Sequence, residues 1–319
     1  MEVSVRGDRL VGRDNRTGGR VADRRARWAV REFILQFLAS SLTEGSIYGL
    51  MALGLVITLR STEVLFFGQG TMAMVGGVMM YALFAQAHMP LIISIPCTLM
   101  ICIIISLLSL RVIVLPLLAR GAPSLNVSMV TIGVSMIFEM LAMIIFGKDP
   151  LAVPSFSGDN PVTVFGASFV PQHFWILGFT AFFLLVTLVF FKGTWMGKAM
   201  TGLGDNPLLA KASGFPVSRL FMYSFVFAAL VGGIAGIVSA PTSYTGYSVG
   251  LPITLKGFIA ASVGGITNPL GALLGGLIIG FFESFTAGFV SSRLKDLITF
   301  VLLLLVLRLR PQGLLGGRS

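Results

Sequence analysis

Apolar residues along this chain come in long unbroken blocks, at 33–59, 64–86, 91–115, 125–146, 173–192, 220–240, 255–267, 269–290 and 294–309. Roughly 20 apolar residues cross a bilayer as a helix. Only helices or a closed barrel satisfy their backbone in lipid, and continuous Leu, Ile, Met and Phe runs lack the alternation of barrel strands. The pattern predicts an all-α, polytopic transmembrane helical bundle of eight or nine membrane segments, some broken or re-entrant. Block 255–267 has only 13 residues, which fits a half-helix packed within protein. Gly-rich breaks at Phe67-Gly68-Gln69-Gly70 and Val263-Gly264-Gly265 mark further interruptions. Broken helices expose backbone dipoles, whose N-terminal ends favour a substrate carboxylate.

Composition agrees with this reading and narrows the chemistry. Hydrophobic residues make up 55% of the 319 and charged ones 11%, where soluble domains carry about 25% charge. The two cysteines, Cys97 and Cys102, share one apolar block and read as small hydrophobes. The two histidines, His88 and His173, stand beside span ends. This poverty of nucleophiles and ligands argues against a metalloenzyme or an intramembrane hydrolase. No catalytic or metal-ligating residue is assigned, and no G-x-x-x-x-G-K-S/T string offers a nucleotide site. Transport is the expected activity, with no cofactor on this chain.

The net charge of +10 is unevenly spread. Residues 1–31 hold nine arginines against Glu2, Asp8, Asp14 and Asp23. They read as a basic, disordered N-terminal extension that serves as an anionic-lipid contact or an orientation signal and not a nucleic-acid module, or as sequence upstream of the true start. Residues 32–319 form the transmembrane domain. By the positive-inside rule, loops 111–124 and 192–219 and the tail are cytoplasmic, and 147–172 is outside. Counting crossings back from these loops puts the N-terminus outside, whereas the nine arginines favour the inside. An in-plane helix around Ala29–Ser41 would reconcile the two.

Three groups of residues are candidates for function. Gly45 and Gly49, Gly232 and Gly236, and Gly271 and Gly275 are spaced four apart, as are Gly276 and Gly280. That spacing lets helix backbones approach closely in lipid, either for packing alone or on faces that slide. Gln69, Glu139, Lys256 and Glu283 are polar residues inside apolar blocks, where each demands a partner or a cavity. Glu283 and Lys256 both fall toward the outer face and can pair; Glu139 has no evident partner. In loop 192–219, Asp205-Asn206-Pro207 supplies a helix cap and a first-turn proline. Residues 208–213 can then form a helix about 10 Å long, which Gly214 ends in a left-handed conformation. A short knob of this kind suits a groove on a partner.

Several strings together resemble a known family. Gly45-Ser46-Ile47-Tyr48-Gly49-Leu50-Met51-Ala52-Leu53-Gly54 is similar to the first-span signature of branched-chain amino acid ABC transporter permeases. So are the Phe67–Gly70 break, Gly197-Lys198-Ala199-Met200, Lys256-Gly257-Phe258 with Gly264-Gly265, Ser291-Ser292-Arg293-Leu294-Lys295-Asp296 and Arg310-Pro311-Gln312-Gly313-Leu314. The resemblance covers about residues 34–316. It implies a bacterial inner-membrane permease subunit that pairs with a second homologous permease. Two cytoplasmic ATP-binding subunits would carry the ATP and Mg, and a periplasmic substrate-binding protein would deliver the ligand. Asp205, Pro207, Leu208, Leu209, Ala210, Ala212 and Gly214 would form the ATPase-coupling element, although the acidic residue usual in the general importer motif is missing. Glu283 and Lys256 occupy positions where the family tends to carry Glu and Lys. There are departures: Phe66 where Asn is common, Gln69 where His is common, Glu44 in place of an apolar residue, and Glu139 where an amide is common. These open the substrate beyond leucine, isoleucine and valine to other amino acids, amides, urea and small carboxylates. The rival class is an ion-coupled secondary transporter acting alone, for which Glu139 is the one mid-membrane carboxylate and no matched repeat is evident.

Overall fold

A computed structural model describes residues 15–158, 162–164, 167–205, 217–310 and 312–315; side chains are not described for 15–33, 163–164, 167–169, 201 and 204–205. Helix α1 (Asn15–Thr62) is followed by α2 (Gln69–Met80), which a π-helical turn extends to Gln86. Next come α3 (Leu91–Ser109), a π-helical stretch over Leu110–Val114, α4 (Leu115–Ala119) and α5 (Ser124–Phe146). The π stretch precedes Pro116, which has no N–H to return to the preceding turn. A small antiparallel hairpin, β1 (Val162–Val164) with β2 (Ala167–Phe169), precedes α6 (Gln172–Gly193) and α7 (Trp195–Asp205). The chain ends with α8 (Val217–Ser239), α9 (Gly250–Gly264), α10 (Pro269–Phe289) and α11 (Lys295–Leu309).

Among the described residues, six helical stretches are long and apolar enough to span a bilayer: 34–62, 91–119, 124–146, 172–193, 217–239 and 269–289. The expected count of eight or nine rests on the shorter rods. Helices α9 and α11 have 15 residues each, or about 22 Å. Block 255–267 is accordingly a complete short helix that starts five residues earlier than its apolar pattern, at Gly250. The Phe67–Gly70 break is real: 63–68 is non-helical between α1 and α2. Helix α1 begins at Asn15, so the second half of the stretch read as a disordered extension is helical backbone, continuous through 29–41 and not a separate in-plane piece. Residues 1–14 lie outside the described residues.

The outer rods are inside out relative to a soluble helix. On α5 the buried residues are Val127, Ser128, Thr131, Ser135 and Glu139, while Ile144 is 75% exposed. On α3 the inward stripe is Ser94, Thr98, Cys102, Ser106 and Ser109. Large apolar side chains point away from the protein and small or polar ones point in, as they do where the solvent is lipid. Inward hydroxyls close local hydrogen bonds, such as Thr180 Oγ1 to the Ile176 carbonyl at 2.8 Å. Others brace the α1–α2 break: Ser128 Oγ accepts from the Leu65 N–H and Thr131 Oγ1 from the Phe67 N–H.

The centre is made by backbone approach. A Cβ on Gly45 would fall 2.7 Å from the Leu277 Cα, and one on Gly276 would fall 2.6 Å from the Gly49 Cα. With Gly49 against Leu273, this seats α1 on α10. Gly232 and Gly236 lie against Gln69, Met72 and Ala73 of α2; Gly271 and Gly275 lie against Gly264 and Ala260 of α9. With Gly280 against Gly45 and Ser41, all eight glycines singled out in the sequence sit at helix crossings.

Loop 192–219 differs from its sequence reading in its first half. Residues 195–205 are helical because Ala199, Met200 and Leu203 recur at helical spacing and bury against Ile57, Phe191 and Leu220. Asp205, expected as the cap of a following helix, is the last residue of α7. Residues 206–216, with Pro207, Leu208, Leu209, Ala210, Ala212 and Gly214, lie outside the described residues.

Candidate functional site

Four helices converge on one carboxylate. Glu283 of α10 is fully buried, and each of its oxygens is satisfied twice. Oε2 accepts from the Tyr48 hydroxyl of α1 at 2.7 Å and from Lys256 Nζ of α9 at 3.0 Å. Oε1 accepts from the Thr299 hydroxyl of α11 at 2.9 Å and pairs with Lys256 Nζ at 2.9 Å. The ammonium also reaches Asp296 Oδ1 at 3.1 Å and lies 5.2 Å from the Tyr48 ring centroid. The structure thus brings Lys256 and Glu283 together, as their positions in the sequence allow. Tyr48, Asp296 and Thr299 were missed there, although the family-like strings around Tyr48 and Asp296 are the signal that would have found them. Chemically this is a structural knot: both carboxylate oxygens are saturated by neighbouring donors.

Above the knot is a cavity of about 350 Å³. Lys256 and Tyr48 form part of its floor, Ile47, Pro252 and Ile253 give it aliphatic wall, and Glu44 and Lys295 bring a charge of each sign. Ser243 and the 72%-exposed Tyr244 belong to its rim. The segment carrying that rim is held by paired backbone bonds between Leu151 and Thr245, at 2.8 and 2.9 Å.

Glu139 does have a partner, one no pattern of side chains would reveal. Its Oε1 accepts from the Leu251 backbone N–H at 2.8 Å, in the first turn of α9. The start of that short helix is therefore already occupied by a carboxylate from α5, a favourable place for negative charge. Gln69 is buried at the start of α2, donating from Nε2 to the Ala228 carbonyl at 2.9 Å, while among the described residues its Oε1 accepts no hydrogen bond. Gln69 and Glu139 share no hydrogen bond with the Lys256–Glu283 knot among the described residues; they lie at the starts of α2 and α9, which meet at Gly70 and Gly250.

A bundle with lipid-like outer faces, glycine crossings and buried, saturated polar groups defines a multi-pass membrane protein. The family model described as branched-chain amino acid transport system, permease component, matches residues 37–307, and the chain belongs to that family. Relatives include the high-affinity branched-chain amino acid transport system permease protein LivH of Escherichia coli, 28% identical over 89% of this chain and 96% of the relative. The corresponding protein BraD of Pseudomonas aeruginosa is 28% identical over 88% of this chain and 95% of its own. Among solved structures, PsaBC from Streptococcus pneumoniae in complex with Fab has a similar fold, with a TM-score of 0.52 at 16% identity over 90% of this chain and 96% of that one.

Proposed function

We propose that this chain is the membrane permease subunit of an ATP-driven importer that moves branched-chain or related amino acids across a bacterial inner membrane. The observation that carries the proposal is full-length kinship: family match over 37–307 and two amino-acid permeases aligned over nearly their whole length. In this reading α1, α2 with its π turn, the α3–α4 rod, α5, α6, α8, α9, α10 and α11 make nine membrane segments. The end bearing Arg111, Arg120, Lys192, Lys198, Arg308 and Arg310 faces the cytoplasm. The C-terminus then lies inside and the start of α1 outside.

The chain pairs with a second homologous permease. Two cytoplasmic ATPases hold ATP and Mg, and a periplasmic binding protein supplies the solute. Closure of the ATPases pushes on the 205–214 segments, and the two permeases rock about glycine-lined crossings so that the pathway opens alternately to each side. Affinity resides mainly in the binding protein, so a weak site in the permease suffices. Helix α7, packed on the cytoplasmic end of α1 through Ile57, Met200 and Leu203, gives that push a stiff route into the bundle.

Copurification and site-directed crosslinking test the assembly. A cysteine at Ala210 should crosslink to a copurifying ATPase, and the yield should change between nucleotide-free and ATP-trapped states. A monomer that copurifies with no ATPase would contradict the proposal.

A further inference from the structure

Helix α1 is longer than a membrane needs. Its apolar stretch, 34–62, has 29 residues, or about 43 Å, which already matches a bilayer with its headgroups at roughly 40–45 Å. Helical backbone continues it through residues 15–33. Ile57, near the other end of α1, packs with Phe191 beside Lys192 at the cytoplasmic end. Residues 15–33 therefore lie on the outer side, and strand β2 of the outer loop 147–172 lies against α1. Within this extension Arg16, Arg20, Arg24, Arg27 and Arg31 recur at intervals of four, four, three and four. At 3.6 residues per turn that spacing puts all five on one face, within an arc of about 80° bordered by Asp23. Arg25 and Glu32 fall on the far side. The stripe is about 22 Å long, and even a 40° tilt leaves Arg16 about 17 Å further from the membrane than Arg31. Headgroup charge is screened within about 8 Å, so lipid reaches only the inner end. The bundle offers little acid there either: Asp296 pairs with Lys256, Glu44 interacts with Lys295, and Asp149 follows Lys148. The family match begins at residue 37, so the stripe is an addition to the permease fold and not a part of it.

We infer that residues 15–31 are a docking arm that captures the importer's binding protein through a strip of Asp and Glu on that protein's surface. The inference rests on the importer reading and adds to it a contact on this chain that lies outside the family's fold. Guanidinium groups meet carboxylates bidentately and at fixed geometry. A row of them also steers an acidic partner out of solution before it reaches the bundle. Standing beyond the headgroups selects a protein over a lipid surface, and lying on the outer side selects the binding protein over the ATPases. The arm's charge runs against the positive-inside rule, a cost that a gain in capture offsets.

The test measures ATP-driven uptake by the assembled transporter in proteoliposomes as the binding protein outside is titrated. Arg16, Arg20, Arg24, Arg27 and Arg31 are replaced together by Gln, and in a second variant by Lys. Each exposed ion pair contributes up to about fivefold, so the Gln variant should raise the half-saturating binding-protein concentration by about tenfold or more. The Lys variant should recover most of that loss, and Arg25→Gln, on the far side of the helix, should leave the concentration unchanged. Raised salt should erase the difference between wild type and the Gln variant. In intact cells, Thr17→Cys in a Cys97→Ser background should react with a membrane-impermeant thiol reagent added outside. Uptake that needs ATP and binding protein but gives the same half-saturation in the Gln variant overturns the inference and leaves the importer reading intact. So does labelling of Thr17→Cys only after the membrane is opened. An effect seen in vesicles containing phosphatidylglycerol but not in phosphatidylcholine alone would assign the stripe to lipid and overturn the inference as well. Wild-type uptake indifferent to ATP and to binding protein would overturn both readings.

Discussion

Removing the Lys256 ammonium strands a carboxylate with no exposure to solvent. Glu283 keeps the Tyr48 and Thr299 hydroxyls as donors in Lys256→Met but loses its only counter-charge within the knot. Breaking one side of a buried pair costs about 3–5 kcal/mol, because the surviving charge is left uncompensated. The reverse change, Glu283→Gln, is milder: the lysine keeps Asp296 at 3.1 Å and its side chain is 16% exposed, so the cost should be about 1–3 kcal/mol. Asp296 is 63% exposed, and Asp296→Asn should cost under about 1 kcal/mol. The double variant Lys256→Met with Glu283→Gln should be more stable than Lys256→Met alone, since the neutral amide no longer needs a counter-charge. Purified protein in detergent, unfolded thermally and followed by tryptophan fluorescence, gives apparent midpoints whose order is the observable. The expected order, from most to least stable, is wild type, Asp296→Asn, Glu283→Gln, then Lys256→Met, with the double variant above the last. Additive losses in the double variant, or Asp296→Asn as damaging as Lys256→Met, would refute the reasoning.

Other positions separate packing from function. Gly45→Val should abolish assembly, read as loss of the monodisperse peak in size-exclusion chromatography, because its Cβ meets the backbone of α10. By contrast Gly133→Ala and Gly178→Ala, where nothing lies within 4 Å, should stabilise or leave unchanged, gaining up to about 1 kcal/mol of helix propensity. Glu139→Gln keeps an acceptor for Leu251 and should lower the unfolding midpoint less than Glu139→Leu, which removes acceptor and charge from the start of α9, a difference of about 1–2 kcal/mol. Bulky replacements at Ala210 and Gly214 should abolish ATP-driven uptake while leaving the unfolding midpoint of the chain unchanged.

What the sequence made legible follows from what lipid demands. Spans announce themselves as apolar runs, and the C-terminal ends of all nine blocks fall within about four residues of a helix end, since no other element satisfies the backbone there. Glycines four apart found their crossings for the same reason: close backbone approach is the main cohesive device in lipid. Partners of buried polar groups were less visible. Lys256 and Glu283 are two charges that need each other, so their pairing could be reasoned out. Glu139 instead binds a backbone N–H 112 residues away, and every residue but proline carries such a group. Tyr48 and Thr299 contribute single hydroxyls, indistinguishable in sequence from the many that bond back to their own helix. Helix α7 was hidden because its 11 residues are too short and too mixed for a span, and its apolar face is defined only by what it covers, Ile57 and Leu220.

The most direct test of the central claim is uptake of labelled leucine by proteoliposomes containing this chain, its membrane partner and the two ATPases, with binding protein outside and ATP inside. The account predicts accumulation that requires hydrolysable ATP and binding protein and persists when ion gradients are collapsed. Uptake by this chain alone, driven by an ion gradient and indifferent to ATP, would contradict it.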